Sequence, residues 1–529
     1  MLGRNNLGLH LAYCLLSPCT SEDFAKIFQW TTFEDQYCYS QDSDPELDAS
    51  DYTAIVIFSV FALLVISSTA YDLFLYYTKT EALHDVLLAF SLWSNGRKIL
   101  KTNSSNSQLS CINGFKALSM MWVIYGHENS LLVSSGTMNY MEVSLFMREK
   151  KNMYLLAAPV SVDTFFAIAG LLTVYTVLKA KVEGMKFVRG LPMFYVHRYL
   201  RLTPAFAFVI LFNATLLRFV GSGPFWGNVQ NDVDTCREGW WGSILYIQNY
   251  IDPMSTCVPQ SWYLYVDTQL FAISPLVIIP LLFWPTIGLA FLGLLILAGI
   301  IIPFSVTYSL DLTVAQTDME SSERYMKYYY AQPYTRCGPY FIGMLFGWLI
   351  YKLKTDEITL SKKTMRQLSI VLWPVALAGT AACLYGGADL VTGATTSTLA
   401  TSFYNGFNRN GWALSCCIII MLCCIGYGGP INAFLSIPLF QTLAKLSYSM
   451  YLVHYTIVIT ARYMSVKAPI YFSWWSVAHG FFGDFILTLV GAFFLCAIFE
   501  SPIIIIEKFI FGNENHSKTE KKSPIKNKI

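Results

Sequence analysis

The sequence predicts an all-α polytopic membrane protein with about eleven transmembrane helices. Of its 529 residues, 54% are hydrophobic and only 13% are charged, and the mean hydropathy is +0.45. Such a chain is too apolar for ordinary soluble domains. Its apolar residues are gathered into stretches that approach the roughly 20 residues a helix needs to cross a bilayer. The net charge of +2 gives no electrostatic support for a nucleic-acid partner.

Eleven apolar stretches are candidate transmembrane helices. They cover residues 52–77, 111–131, 155–178, 195–219, 262–284, 286–308, 334–351, 368–385, 412–427, 438–461 and 477–499. Around them the chain divides into an extracytoplasmic segment, 1–50, a first helix, 51–78, a linker, 79–110, a membrane domain, 111–511, and a basic tail, 512–529.

The charge of the loops predicts the orientation in the membrane. The linker is basic, with Lys79, Arg97, Lys98 and Lys101. By the positive-inside rule it lies in the cytosol, and so does the lysine-rich tail. The N-terminus is then lumenal or extracellular and the C-terminus cytosolic, in the plasma membrane or the endoplasmic reticulum. Arg148, Lys150 and Lys151 go against this scheme, because it places them outside.

The cysteines indicate no metal site. Thirteen are present, and no two of them have the Cys-x-x-Cys spacing of zinc ligands. Cys236 and Cys257 share one outward-facing loop, where an oxidising lumen permits a disulfide.

The span 111–131 carries two ionisable residues, Lys116 and His127. On a helix they share a face and stand about 16 Å apart along the axis, so they can serve two ends of one pathway. The alternative is an interfacial lysine and a histidine bonded to a neighbouring helix. Asp163 is predicted at a depth similar to that of His127, where a carboxylate could orient the imidazole of a general base. Equally, Asp163 could cap its helix or pair with a cation such as Arg336.

Three further groups of polar residues lie within or at the edges of predicted spans. Arg198 and Arg201 are three residues apart and suit a phosphate clamp, although anchoring to lipid headgroups explains them as well. Tyr263 and Asp267 share one helix face. Tyr448, Tyr451 and His454 recur at steps of three and form a polar stripe. Ionisable residues inside a membrane are commonly functional, which favours a site over a structural role.

Seven segments taken in order resemble the signature segments of the acyltransferase-3 family, and most closely its nose resistant to fluoxetine branch. They are NGFKALSMMWVIYGH, VDTFFAIAGLL, HRYLRLTP, SWYLYVDTQLF, CGPYFIGMLFGWL, LAKLSYSMYLVH and FESPIIIIEKFI. The run LGLHLAYCLLSPCTSEDFAKIF is similar to the end of the cysteine-rich lumenal domain of that branch, with Cys14 and Cys19 at its paired cysteines. Residues 1–50 are accordingly interpreted as the C-terminal remnant of such a domain.

The resemblance implies a ten-helix core preceded by one N-terminal helix. It also implies transfer of an acyl group from cytosolic acyl-CoA to a hydroxyl of a lipid or other hydrophobic acceptor on the far side. His127 matches the essential histidine of the family. Lys116 stands where the family usually has arginine, and Ala169 replaces a common serine.

In this interpretation Lys116, Arg198 and Arg201 hold the donor's phosphates, and His127, oriented by Asp163, takes the acceptor's proton. Tyr263, Asp267, Tyr448, Tyr451 and His454 line the cavity. No serine nucleophile motif is present, so direct transfer is expected in preference to a covalent enzyme intermediate. No permanently bound cofactor is expected, and acyl-CoA is the co-substrate. The rival hypotheses are a transporter of lipids or hydrophobic compounds through the same polar cavity, and an inactive scaffold.

Overall fold

A computed structural model of the chain describes residues 45–102, 109–131, 137–223, 225–314, 319–394, 397–464 and 471–511. Cys14, Cys19 and the basic tail lie outside these ranges. The longer helices, numbered in chain order, are α1 (Ala49–Thr78), α2 (Cys111–Leu131), α3 (Val160–Lys179), α4 (Leu191–Ala214), α5 (Trp226–Ile244), α6 (Trp262–Ile273), α7 (Pro275–Phe283), α8 (Pro285–Ser309), α9 (Pro333–Lys354), α10 (Lys362–Tyr385), α11 (Thr398–Cys424), α12 (Pro438–Tyr463), α13 (Trp474–Leu495) and α14 (Ser501–Phe511).

Shorter helices connect these elements. They are Asp85–Leu88, Leu92–Leu100, Tyr140–Arg148, Lys150–Asn152, Met153–Leu156, Gly184–Arg189, Leu216–Phe219, Gln248–Ile251, Pro259–Ser261, Met319–Tyr325, Ala388–Val391 and Gly429–Leu435. Two single π-helical turns are also present. Met326–Tyr330 precedes α9, and Cys496–Glu500 joins α13 to α14.

A helix lies at each of the eleven predicted spans, and within the described residues seven helical segments are long and apolar enough to cross a membrane. These are α1, α3, α6 with α7, α8, α10, α11, and α13 with α14. They fit a multi-pass membrane protein, while the number eleven stays a prediction. The other four, α2, α4, α9 and α12, are 21 to 26 residues long but more polar. Three of these four helices, α2, α4 and α12, carry most of the predicted site residues.

Local sequence signals explain several helix starts. Asp48 caps α1 and forms a reciprocal capping box with Asp51, and Ser473 does the same with Ser476 at α13. Proline occupies the first position of α7, α8, α9 and α12. Its fixed φ suits that position, and the missing N–H has no intrahelical partner there in any case.

Glycines let α3 and α9 pack backbone to backbone. A methyl group added at Gly343 would overlap the carbonyl oxygen of Ala167, and one at Gly347 would overlap that of Leu171. Likewise, one added at Gly170 of α3 would overlap the carbonyl oxygen of Tyr340 of α9. Small residues at such spacing are the usual means of close helix packing in membranes. This contact holds the beginning of α3 beside the beginning of α9.

Two other contacts position the site. α2 packs along α12, and α12 packs along α13. Outside the predicted spans, a disulfide joins Cys236 of α5 to Cys257, which precedes α6.

Candidate functional site

Two histidines from α2 and α12 lie side by side in the helix bundle. The ring centroids of His127 and His454 are 5.2 Å apart. His454 is fully buried, whereas His127 keeps part of its surface exposed. The ring of Tyr455 contacts His127 edge-on at 5.2 Å. His127 is therefore the more accessible member of this histidine pair.

One hydrogen bond fixes the tautomer of His454. Its Nδ1 lies 2.8 Å from the backbone carbonyl oxygen of Tyr451. A carbonyl oxygen only accepts, so Nδ1 carries the proton and Nε2 keeps its lone pair. Nε2 is buried and has no hydrogen-bond partner among the described residues. The histidine pair thus contains a preset proton acceptor in an apolar setting.

Aromatic rings continue from the histidine pair towards α6. The ring of Tyr451 lies 5.5 Å from His454 and 5.2 Å from Tyr263. The hydroxyl of Tyr451 donates to the carbonyl of Gln260 at 2.5 Å. That of Tyr448, one turn earlier on α12, donates to the carbonyl of Leu202 at 2.7 Å. These two hydroxyls therefore brace α12 against its neighbours.

A cluster of charged residues lies beyond these aromatic rings, away from the histidine pair. We call Lys116, Arg198, Arg201, Asp267 and Glu500 the polar cluster. Lys116 interacts electrostatically with Arg201, Asp267 and Glu500. Glu500 accepts a hydrogen bond from Ser449 at 3.1 Å and belongs to the π-helical turn between α13 and α14. Turns of this kind frequently occur at functional sites.

Within the polar cluster Arg198 is committed to an ion pair. Its Nη2 binds Asp267 Oδ2, and its guanidinium lies 4.2 Å above the ring of Phe271. Arg201 is exposed and Lys116 is half-buried. The two arginines therefore differ in partner and exposure, and Arg201 and Lys116 are the cations better able to meet an anionic ligand.

Asp163 lies beside Arg336, not beside His127. Nη1 of Arg336 donates to both carboxylate oxygens of Asp163 at 3.1 and 3.0 Å, and both side chains are fully buried. This is the arrangement that the sequence offers as the alternative to orienting His127. Glu128, the neighbour of His127 in sequence, is buried and forms an ion pair with Arg462. Within the described residues no carboxylate contacts the ring of His127. The side chains that contact it are the rings of His454 and Tyr455.

Sequence reasoning missed three features. Arg409 is buried in α11 with its guanidinium 4.1 Å above the ring of Tyr329. Asp48 and Asp51 at the start of α1 bind Arg218 and Arg237. An apolar cavity of about 550 Å³ lies between α1, α4, α12 and α13. Arg409 stands between Asn408 and Asn410 in a polar stretch before the predicted span, which began at residue 412, so hydropathy gave no signal for it.

Comparison with known proteins gives two kinds of match. Residues 109–500 match a family model described as an acyltransferase domain, of the acyltransferase-3 type. The chain is 26% identical to Nose resistant to fluoxetine protein 6 of Caenorhabditis elegans, over 97% of this chain and 68% of that protein. It is 25% identical to Regulator of hypoxia-inducible factor 1 of the same species, over 70% of this chain and 75% of that one. No solved structure matches.

Proposed function

The chain belongs to the acyltransferase-3 family, and from that premise we propose that it transfers an acyl group from cytosolic acyl-CoA to a hydroxyl of a hydrophobic acceptor at the lumenal or extracellular side. The observation that carries the proposal is the histidine pair, with a lone pair fixed on His454 beside the partly exposed ring of His127.

His127 removes the proton of the acceptor hydroxyl as the oxygen attacks the thioester carbonyl. The new oxygen–carbon bond forms, the carbon–sulfur bond breaks, and the departing thiolate recovers the proton from the imidazolium of His127. His454 takes the place that Asp163 was expected to fill: when the imidazolium of His127 forms, the free lone pair on Nε2 of His454 accepts a hydrogen bond from it. Proton transfer by a positioned base contributes about 10²–10⁴ in rate.

The polar cluster binds the donor. Lys116 and Arg201 meet the phosphates of the nucleotide, and the ion pair of Arg198 with Asp267 keeps their surroundings close to neutral. Lys116 and His127 lie about 16 Å apart on α2, which leaves the extended arm of the donor to bridge the two ends. Tyr263 and Tyr451 lie along this path.

One observation favours a second candidate, a transporter of hydrophobic compounds. The apolar cavity between α1, α4, α12 and α13 is lined by none of the predicted site residues. Its polar side chains, Asn213 and Thr456, are hydrogen-bonded to each other at 3.0 Å, so its wall suits a hydrocarbon ligand. A transporter would depend on this cavity and not on the histidine pair.

Purified protein in detergent with radiolabelled acyl-CoA separates the two functions. We expect slow release or transfer of the acyl group by the wild type, loss with His127→Ala, and no change with His479→Ala, an exposed histidine on α13. The transporter would be established instead by two results together. Wild type and His127→Ala would both be inactive towards acyl-CoA, and the protein would move a labelled hydrophobic compound into vesicles. The variant Val65→Trp, which fills the apolar cavity, would block that movement.

A further inference from the structure

Two buried arginines share one carboxylate near the beginnings of α3 and α9. Arg336 and Asp163 are completely buried, and Arg409 is 6% exposed. Asp163 binds Arg336 directly, and its charge also acts on Arg409. Within the described part of the chain, Asp163 is the one carboxylate among the groups that act most strongly on Arg409, and it forms its ion pair with Arg336. This arginine pair, Arg336 and Arg409, therefore leaves one positive charge without a counter-charge.

The hydrogen-bonding groups of the arginine pair are also incompletely used. Nη2 of Arg336 and Nη1 of Arg409 are buried and have no hydrogen-bond partner in the described part of the chain. A guanidinium has five N–H donors, and leaving them unmet in an apolar interior is costly. A missing acceptor with negative charge would satisfy both deficits at once.

Aromatic rings surround the arginine pair without supplying that charge. Arg336 lies 4.8 Å from the rings of both Trp262 and Tyr330. The hydroxyl of Tyr329 donates to the carbonyl of Asn405 at 3.0 Å, so this tyrosine keeps its proton. Cation–π contacts offset part of the cost of burying a cation, but the net charge stays.

The arginine pair is close to the proposed reaction site. Arg336 and Tyr330 both interact electrostatically with Tyr451, whose carbonyl holds the Nδ1 proton of His454. The π-helical turn Met326–Tyr330 supplies Tyr329 and Tyr330. Arg336 of the arginine pair and His454 of the histidine pair thus both interact with Tyr451.

We propose that Arg336 and Arg409 bind the oxyanion of the acyl acceptor, a phosphate or carboxylate, while its hydroxyl faces His127. This inference rests on the proposed function for the identity of the ligand as acceptor. Binding of the anion itself does not require transfer activity. Arg409 determines the specificity for an anionic acceptor, because Nη1 of Arg336 is already hydrogen-bonded to Asp163.

The test measures binding to purified full-length protein in a neutral detergent, without acyl-CoA. The probes are oleoyl lysophosphatidic acid, 1-oleoylglycerol as its uncharged match, and inorganic phosphate. We expect the lysophosphatidic acid to raise the Tm and to bind at least tenfold more tightly than the oleoylglycerol. Stabilisation by inorganic phosphate as well would show recognition of the anion alone, and its absence would show recognition of a lipid-borne headgroup. Equal binding of the charged and uncharged lipids would overturn the proposal.

Variants make the test independent of folding. Arg409→Gln should abolish the preference for the charged lipid and leave the Tm of the unliganded protein equal or higher, since it removes an uncompensated charge. Arg336→Gln should lower that Tm by stranding Asp163. Arg324→Gln, an exposed arginine, is the matched control. If Arg409→Gln lowers the unliganded Tm as much as Arg336→Gln does, the charge of Arg409 is already compensated and the inference fails. Transfer to an anionic acceptor that Arg409→Gln leaves unchanged would also refute it while the acyltransferase proposal stands.

Discussion

The imidazole rings of His127 and His454 lie 5.2 Å apart, brought together by the packing of α2 against α12. Neither ring has a recorded carboxylate partner among the described residues. The tautomer of His454 is instead held by a backbone carbonyl of its own helix. A helical carbonyl is rigid, so this arrangement fixes the proton acceptor without introducing a further buried charge.

Asp163 is expected to matter for stability more than for proton transfer. Asp163→Asn leaves the fully buried Arg336 without its counter-ion, and breaking a buried pair costs about 3–5 kcal/mol. Thermal unfolding should show a marked loss for this variant and a smaller one for the double variant Asp163→Leu with Arg336→Leu. An Asp163→Asn protein with unchanged Tm and a selective loss of acyl transfer would restore its role as partner of the base.

Replacement of Gly343 should separate α3 from α9. The added methyl of Gly343→Ala overlaps the carbonyl oxygen of Ala167, and overpacking of this kind costs about 1–3 kcal/mol. Gly293→Ala is the control, because nothing lies within 4 Å of a methyl at that position. Circular-dichroism melts should show a lower Tm for the first variant only. Equal melts would mean that the two helices do not approach so closely.

The start of α1 should respond to acid. Hydrogen bonds from the Ser50 hydroxyl and from Arg237 lower the pKa of Asp48 below its ordinary 3.8. Stability from a lowered carboxyl pKa is present above 3.8 and is lost as the pH falls towards the folded-state value. Hydrogen exchange at the beginning of α1 should therefore be slow at pH 5 and rise below pH 3.8. Arg237→Gln should weaken this dependence, and an identical profile in that variant would contradict the account.

Lys116 should govern the affinity for the donor. Lys116→Gln removes a charge-assisted contact to phosphate, worth about 1.5–3 kcal/mol, so the KM for acyl-CoA should rise roughly tenfold or more. Lys116→Arg keeps the charge and adds a bidentate fork, so it should retain or improve binding. Lys186→Gln, an exposed lysine paired with Glu183, should have no effect. Unchanged KM values in all three variants would remove Lys116 from the donor site.

Hydropathy located the helices but not all of their ends. The predicted span 412–427 corresponds to α11, which begins at Thr398 with Ser397 as its cap. The polar first turns of α11 hide its start from a hydropathy reading. The omitted turns contain Arg409, and the arginine pair was missed for that reason. The predicted span 262–284 is two helices, α6 and α7, that meet at Ser274.

The predicted depth of a residue in the bilayer does not determine which side chain of another helix it contacts. The sequence predicts His127 and Asp163 at a similar depth in the bilayer, but depth leaves the rotation of each helix about its axis open. The glycines of α3 and α9 turn Asp163 towards Arg336, and α12 presents His454 to His127. Both relationships are non-local and come from helix packing, which the alternation of apolar residues along one helix does not specify.

The most direct test of the histidine pair is a double-mutant cycle on acyl transfer. Because His127 and His454 act as one unit, His127→Ala and His454→Ala should each lower kcat by about 10²–10⁴, and the double variant should be little worse than either one. A His454→Ala enzyme with wild-type kcat, or a double variant whose loss is the product of the two single losses, would contradict the account.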